Sequence, residues 1–182
     1  GAVNQNAGAI AIGAAAGFSQ QGASAVAVGS GAGASNQGAS SVAIGSGAGE
    51  ISQGSTGAVA IGFNAGESNQ GASAVAIGFK AGQTGQGANA IAIGNGAGQT
   101  GQPSNSIVLN ASGTPLSGAT ASAFFVDPIR GTSITTGVLV YDTARKEVMW
   151  SSGNFGGGTG TVPNGTNASD YLYWVPSGST GS

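Results

Sequence analysis

Gln37-Gly38-Ala39-Ser40-Ser41-Val42-Ala43-Ile44-Gly45-Ser46-Gly47-Ala48-Gly49 is the stretch from which the fold can be read. Its centre, Val42-Ala43-Ile44, alternates β-branched and small residues with period two, which is the pattern of a strand. Glycines stand on both sides, as turns require. β-branched pairs between glycines are poor helix material. The stretch recurs along the chain. A Val-Gly or Ile-Gly pair has its glycine at Gly13, Gly29, Gly45, Gly62, Gly78 and Gly94, in steps of 16, 16, 17, 16 and 16 residues. Gln5, Gln21, Gln37, Gln53, Gln70, Gln86 and Gln102 keep the same rhythm. Their single 17-residue step also lies between Gln53 and Gln70, where Ser55-Thr56-Gly57 holds one residue more than its equivalents. Ala-Gly pairs at 16/17, 32/33, 48/49, 65/66, 81/82 and 97/98 move with both. Markers that share one slip define a structural repeat.

Sixteen residues are too few for a strand-helix unit. They suit one coil of a β-solenoid or β-roll, with two short strands, two turns and successive coils about 4.8 Å apart. The fold class expected is all-β: a parallel β-roll of 16-residue coils followed by a small C-terminal β unit. The pairs Ile10/Ile12, Val26/Val28, Val42/Ile44, Val59/Ile61, Val75/Ile77 and Ile91/Ile93 are expected to stack as a ladder inside the coils and form the repeat core. Ala11, Ala27, Ala43, Ala60, Ala76 and Ala92 then point the other way. Six coils are read, closed by the partial coil Ser106-Ile107-Val108-Leu109-Asn110, where Val108 stands in place of alanine. Atypical terminal repeats commonly cap a stack.

Such a coil has a thin core. Each buried Val or Ile contributes about 1.5–3 kcal/mol, whereas ordering each residue costs about 1–2 kcal/mol. An isolated chain is therefore short of burial. The alanine face is flat, apolar and uncharged, and contiguous apolar faces mark interfaces. The expectation is an oligomer packed through that face.

Composition narrows the function. Of 182 residues, 37 are glycine and only 5% are charged, against about 7% and 25% in ordinary domains. Disorder usually combines low hydrophobicity with high net charge; here 40% of residues are apolar and the net charge is −2. Four basic residues make no phosphate-tracking surface, so no nucleic-acid partner is expected. No apolar run is long enough for a membrane helix, so no membrane insertion is expected. No charged n-region followed by an apolar stretch opens the chain, so no signal peptide is expected. There is no His or Cys, and Lys80, Lys146 and the few carboxylates show no motif, so no nucleophile with a partner base is read. No catalytic residue, metal site or cofactor is read, and the chain is expected not to be an enzyme.

The unit Ala-Val-Ala-Ile-Gly-x-x-Ala-Gly, with Ser41-Val42-Ala43-Ile44-Gly45 as its nearest match, resembles the YadA-like head repeat of trimeric autotransporter adhesins. The resemblance covers residues 1 to about 110. It implies a left-handed parallel β-roll, a homotrimer, and binding to host-surface molecules. Those repeats are usually about 14 residues long, whereas these are 16. Beyond them, Phe124-Phe125-Val126-Asp127-Pro128-Ile129-Arg130 and Val138-Leu139-Val140-Tyr141-Asp142 through Lys146-Glu147-Val148 are similar to segments of fibre proteins of large algal DNA viruses and phages. The function implied is a trimeric fibre that attaches to a host cell-surface glycan or protein, on a virion surface. The alternatives are a bacterial adhesin head at the cell surface and a purely structural spacer. Ice binding is disfavoured because no regular Thr-x-Thr ladder occurs.

Three regions are expected: a β-roll at 1–112, a small β domain at 113–150, and a Gly/Ser/Thr-rich linker with a terminal strand-like segment at 151–182. In the second, Val138–Tyr141 and Glu147–Trp150 read as strands joined by a hairpin loop, and Asp127, Arg130 and Asp142 as the ion-pair formers. In the third, Tyr171–Val175 reads as a strand.

Phe63 and Phe79 hold equivalent positions just after the Ile-Gly turn, with Asn64 and Lys80 beside them. These four are the candidate ligand contacts, against a packing role between chains. Glu50 and Glu67 are equivalent one coil apart and read as solvated turn residues; two oxygen donors make a poor calcium site. Gly29-Ser30-Gly31-Ala32-Gly33 reads as a turn rather than a phosphate loop, since no helix follows it. Asn36/Gln37 and Asn69/Gln70 read as turn stabilisers or stacked amide ladders. Asn110, Asn164 and Asn167 lie in glycosylation sequons.

Overall fold

The computed structural model describes residues 3–54, 56–129, 138–142 and 147–151. Among them there is no helix. The chain divides into two compact units, Gly1–Arg130 and Gly131–Ser182.

The first unit is a β-solenoid. Strands β2 (Ile10–Ile12), β4 (Val26–Val28), β6 (Val42–Ile44), β8 (Val59–Ile61), β10 (Val75–Ile77), β11 (Ile91–Gly94), β12 (Ile107–Asn110) and β13 (Phe124–Asp127) form one eight-stranded sheet. Every pairing in it is parallel, and equivalent residues face one another: Val42 opposite Val59, Val75 opposite Ile91. The alternate strands β1 (Val3–Gln5), β3 (Ser19–Gln21), β5 (Ser35–Gln37), β7 (Ile51–Gln53) and β9 (Ser68–Gln70) form a second, five-stranded parallel sheet. Single bridges Ser68–Thr84 and Thr84–Thr100 carry its ladder onward.

The glycine content follows from the tight winding. In one coil the backbone takes positive φ five times, at Gly29, Gly31, Gly33, Asn36 and Ser40. Only Gly, and to a lesser degree Asn, tolerates that region well. Glycine at position 45 is further fixed by its neighbour: φ is +126°, and an added Cβ would lie 2.6 Å from the carbonyl oxygen of Gly62 in the next coil.

The structure reverses the inside and outside expected for these strands. The core is alanine: Ala27, Ala43, Ala60, Ala76 and Ala92, with Ala16, Ala32, Ala48, Ala65, Ala81 and Ala97 from the facing turn, are buried. The proposed core residues Ile10, Ile12, Val26, Val28, Val42, Ile44, Val59, Ile61, Val75, Ile77, Ile91 and Ile93 stack in register, yet none is buried, and Ile12 is 61% exposed. The reason is lumen width. An added Cβ on Gly66 would already meet the Ala60 Cβ at 3.2 Å and the Gln70 amide at 2.7 Å. A space filled by methyl groups has no room for a second row of branched side chains. The alanines therefore make no interface, and the branched face does not line the lumen.

The stack also runs past the boundary expected at 112. β13 pairs with β12, Phe125 facing Val108 at the inward position. Eight rungs are present rather than six and a partial one. Val108, Leu116 and Phe125 replace alanine at this end and close the lumen with larger side chains. Gly118 makes room for the Phe125 ring, which an added Cβ would meet at 2.7 Å.

The 17-residue coil has its own repair. In regular coils the amide of the residue before the branched strand bonds to the glycine three residues earlier, as Ala74 does to Gly71 O at 3.2 Å. With the extra residue in 55–57, Ala58 N–H instead donates to the Ser41 hydroxyl of the preceding coil at 3.1 Å. Ser41 is buried where most coils have alanine. Ser41→Ala is expected to cost about 1–3 kcal/mol, the penalty for an unpaired buried amide. Denaturant titration checks this, and removing one residue from 55–57 in the same variant should recover most of the loss.

In the second unit, strands β14 (Val138–Asp142) and β15 (Glu147–Ser151) pair antiparallel, Asp142 opposite Glu147, as the hairpin reading requires. The ion pairs involving Arg130, the loop 143–146, the linker, Tyr171–Val175, Asn164 and Asn167 lie outside the described residues.

Candidate functional site

A repeat shows its specialisations as departures from the shared unit. In the solenoid these cluster in the middle coils. Glu50, Glu67 and Lys80 are the only charged residues before Asp127, and Phe63, Asn64 and Phe79 lie among them.

The structure brings the four candidate residues together. Phe63 and Phe79 stack with centroids 5.5 Å apart and planes inclined by 12°. Each is about half exposed. Lys80 Nζ lies 5.3 Å from the Phe79 centroid, within the reach of a cation–π contact. The column is held by the backbone, since Lys80 N–H donates to Phe63 O at 2.9 Å. Asn64 Nδ2 donates to Glu67 Oε2 at 2.8 Å.

Glu67 joins this patch through bonds that sequence reading had not drawn. Its Oε2 also accepts from Gln83 Nε2 of the next coil at 2.6 Å, and Gln83 Oε1 accepts from Gln99 Nε2 at 2.9 Å. Glu67, Gln83 and Gln99 thus form an axial ladder, and the carboxylate is fixed rather than merely solvated. The signal was present in four successive equivalents, Glu50, Glu67, Gln83 and Gln99, all acids or amides, which follow Phe18 and Ala34 at the same repeat position. Among the described residues no group of three or more His, Cys, Asp or Glu side chains gathers around a point.

The second amide system is internal. Gln21, Gln37, Gln53, Gln70, Gln86 and Gln102 are buried. Each Nε2 donates across the lumen to a strand carbonyl eleven residues earlier, as Gln37 does to Val26 O at 2.8 Å. Gln70, Gln86 and Gln102 also bond in sequence, Nε2 to Oε1, at 3.2 and 3.1 Å. Gln70 therefore joins the turn-stabilising and ladder roles expected of it, whereas Gln37 bonds only to the carbonyls of Val26 and Ser41, and its Oε1 has no hydrogen-bond partner among the described residues. Asn36 and Asn69 instead are exposed, with left-handed φ in the middle of strands β5 and β9.

Asn110 is withdrawn as a glycan acceptor. It is 4% exposed, and its Nδ2 donates to Asn95 O and Thr114 O, both at 2.6 Å. Its Oδ1 accepts from Ser112 N–H at 3.1 Å and the Ser112 hydroxyl at 2.8 Å. The amide that glycosylation would use organises the turn after β12.

The outward face of the eight-stranded sheet is a continuous apolar surface. Its two outward columns run Ile10, Val26, Val42, Val59, Val75, Ile91, Ile107, Phe124 and Ile12, Val28, Ile44, Ile61, Ile77, Ile93, Leu109, Val126. Every position is apolar, and none is buried. A shallow open groove of 650 Å³ is lined instead by Asn6, Gln20, Asn36, Ser52, Asn69 and glycines of successive coils, and includes none of the four candidate residues.

In comparisons with known proteins, no family model, no curated protein and no solved structure matches this chain.

Proposed function

We propose that the chain is a non-enzymatic segment of a trimeric attachment fibre, exposed on a virion surface, that engages a host cell-surface glycan or protein. The observation that carries this reading is the uninterrupted apolar face of the eight-stranded sheet. Soluble monomers rarely leave contiguous apolar patches of more than a few hundred Å² uncovered. Eight rungs at about 4.8 Å make a strip roughly 34 Å long. A methyl-filled lumen gives each coil little burial of its own, so packing the branched face against copies of itself supplies what the single chain lacks. Three copies around an axis bury all three faces at once, which agrees with the adhesin-head resemblance of the repeats. The same symmetry repeats any weak surface site three times and so raises avidity.

The test is solution mass by light scattering coupled to size exclusion. Three times the 17.0 kDa chain mass is expected. A monomer would remove the trimeric-fibre reading.

A further inference from the structure

The geometry points to the Phe63/Phe79 stack, with Asn64, Glu67 and Lys80, as a saccharide-binding platform on the side of the solenoid. This rests on the attachment reading and gives it a ligand class.

The ring separation of 5.5 Å and the inclination of 12° are close to what stacking at the rung spacing of about 4.8 Å dictates. The pair therefore stacks from one rung to the next, with Ser46 the equivalent residue on the Phe63 side of the pair and Asn95 the one on the Phe79 side. Lys80 occupies part of the space over Phe79. The Phe63 face turned away from Phe79 has no ring or cation partner among the described residues. An exposed aromatic face with negative quadrupole attracts polarised C–H bonds, and a pyranose ring presents a flat face of such bonds with hydroxyls around its rim.

The groups around the rings suit that rim. Asn64, Ser46, Asn95 and Gln83 offer neutral donors and acceptors. Glu67 Oε2 is held by Asn64 and Gln83 at 2.8 and 2.6 Å, which orients the carboxylate, and its Oε1 has no partner among the described residues. A fixed acceptor beside an apolar plate recognises a hydroxyl-rich ligand. A charged peptide would find one cation and few carboxylates. The position also argues for use: other coils have alanine, serine or asparagine where Phe63 and Phe79 stand, so the repeat itself does not need them.

The experiment titrates the assembled full chain calorimetrically with cello-, chito-, manno- and xylo-hexaose. It compares the chain with the Phe63→Ala/Phe79→Ala variant and with Phe18→Ala, an exposed aromatic outside the patch. Binding of at least one hexaose is expected, weakened ten-fold or more in the double variant and unchanged in Phe18→Ala, with solution mass the same throughout. Equal binding by the double variant overturns the platform while leaving attachment by another surface intact. An assembled chain that binds none of the four overturns the saccharide assignment, and the fibre reading is then judged by mass alone. A double variant of reduced mass shows the pair to be an interchain contact and overturns the platform as well.

Discussion

Val42→Asp/Ile44→Asp is expected to reduce the solution mass from three chains to one. Both side chains point outward on β6, so the substitution leaves the alanine lumen and the glutamine column untouched. In a trimer closed through this face it removes two branched side chains per protomer, six in all. At about 1.5–3 kcal/mol each, roughly 9–18 kcal/mol of burial is lost. Six carboxylates would also have to leave water together, a cost of several kcal/mol per ion. Each 1.4 kcal/mol is about a factor of ten in association, so no plausible trimer survives at micromolar concentration. Val42→Thr/Ile44→Thr keeps the β-branch and adds one hydroxyl per residue. It should weaken assembly without abolishing it, because strand preference is retained. A trimer that persists unchanged in the aspartate variant would place the interface elsewhere.

The reversal at this face shows where sequence reading stops. Period two establishes that Val42 and Ile44 share one side of a strand and Ala43 the other. It does not say which side is inward. The usual preference sends the larger apolar residue inside, and it fails here because the coil is wound too tightly. The clue was the pairing of small residues: Ala43 and Ala48 face each other across the lumen, beside Gly49 and Gln53, so no long apolar side chain has a place there. Turns, strands, register and the C-terminal hairpin were legible because Gly, Asn and β-branched residues impose them locally. The eighth rung was not. Phe124–Asp127 departs from the repeat motif, and only its pairing with β12 assigns it to the stack. At the candidate site the aromatic column could be read from equivalent positions, since stacking follows directly from the period. The bonds of Glu67 could not, because they depend on which rotamers Asn64 and Gln83 adopt.

Gln86→Leu is expected to destabilise the solenoid by about 2–5 kcal/mol per chain. The residue is long, polar and 1% exposed, and that arrangement persists only when hydrogen bonds offset the burial. Gln86 Nε2 donates to Val75 O at 2.9 Å, Ala90 O at 3.3 Å and Gln102 Oε1 at 3.1 Å, and Gln86 Oε1 accepts from Gln70 Nε2 at 3.2 Å. Leucine fills a similar volume, so packing changes little. What is lost is a cross-link between the two sheets and the donor to Gln102, whose buried Oε1 is left unpaired at about 1–3 kcal/mol. For a chain of this size, each kcal/mol moves Tm by about 2–4 °C, so a fall of roughly 5–20 °C is expected in thermal melts followed by circular dichroism. Gln86→Glu should be worse still, because a buried carboxylate would face the carbonyls of Val75 and Ala90 instead of donating to them. If both variants melt with the parent chain, the column is incidental and the stack is held by its backbone ladders alone. If the leucine variant falls and the glutamate variant falls further, the glutamines are what keeps the two sheets of a methyl-filled coil together. That would give a physical reason for a glutamine at the same place in seven successive coils.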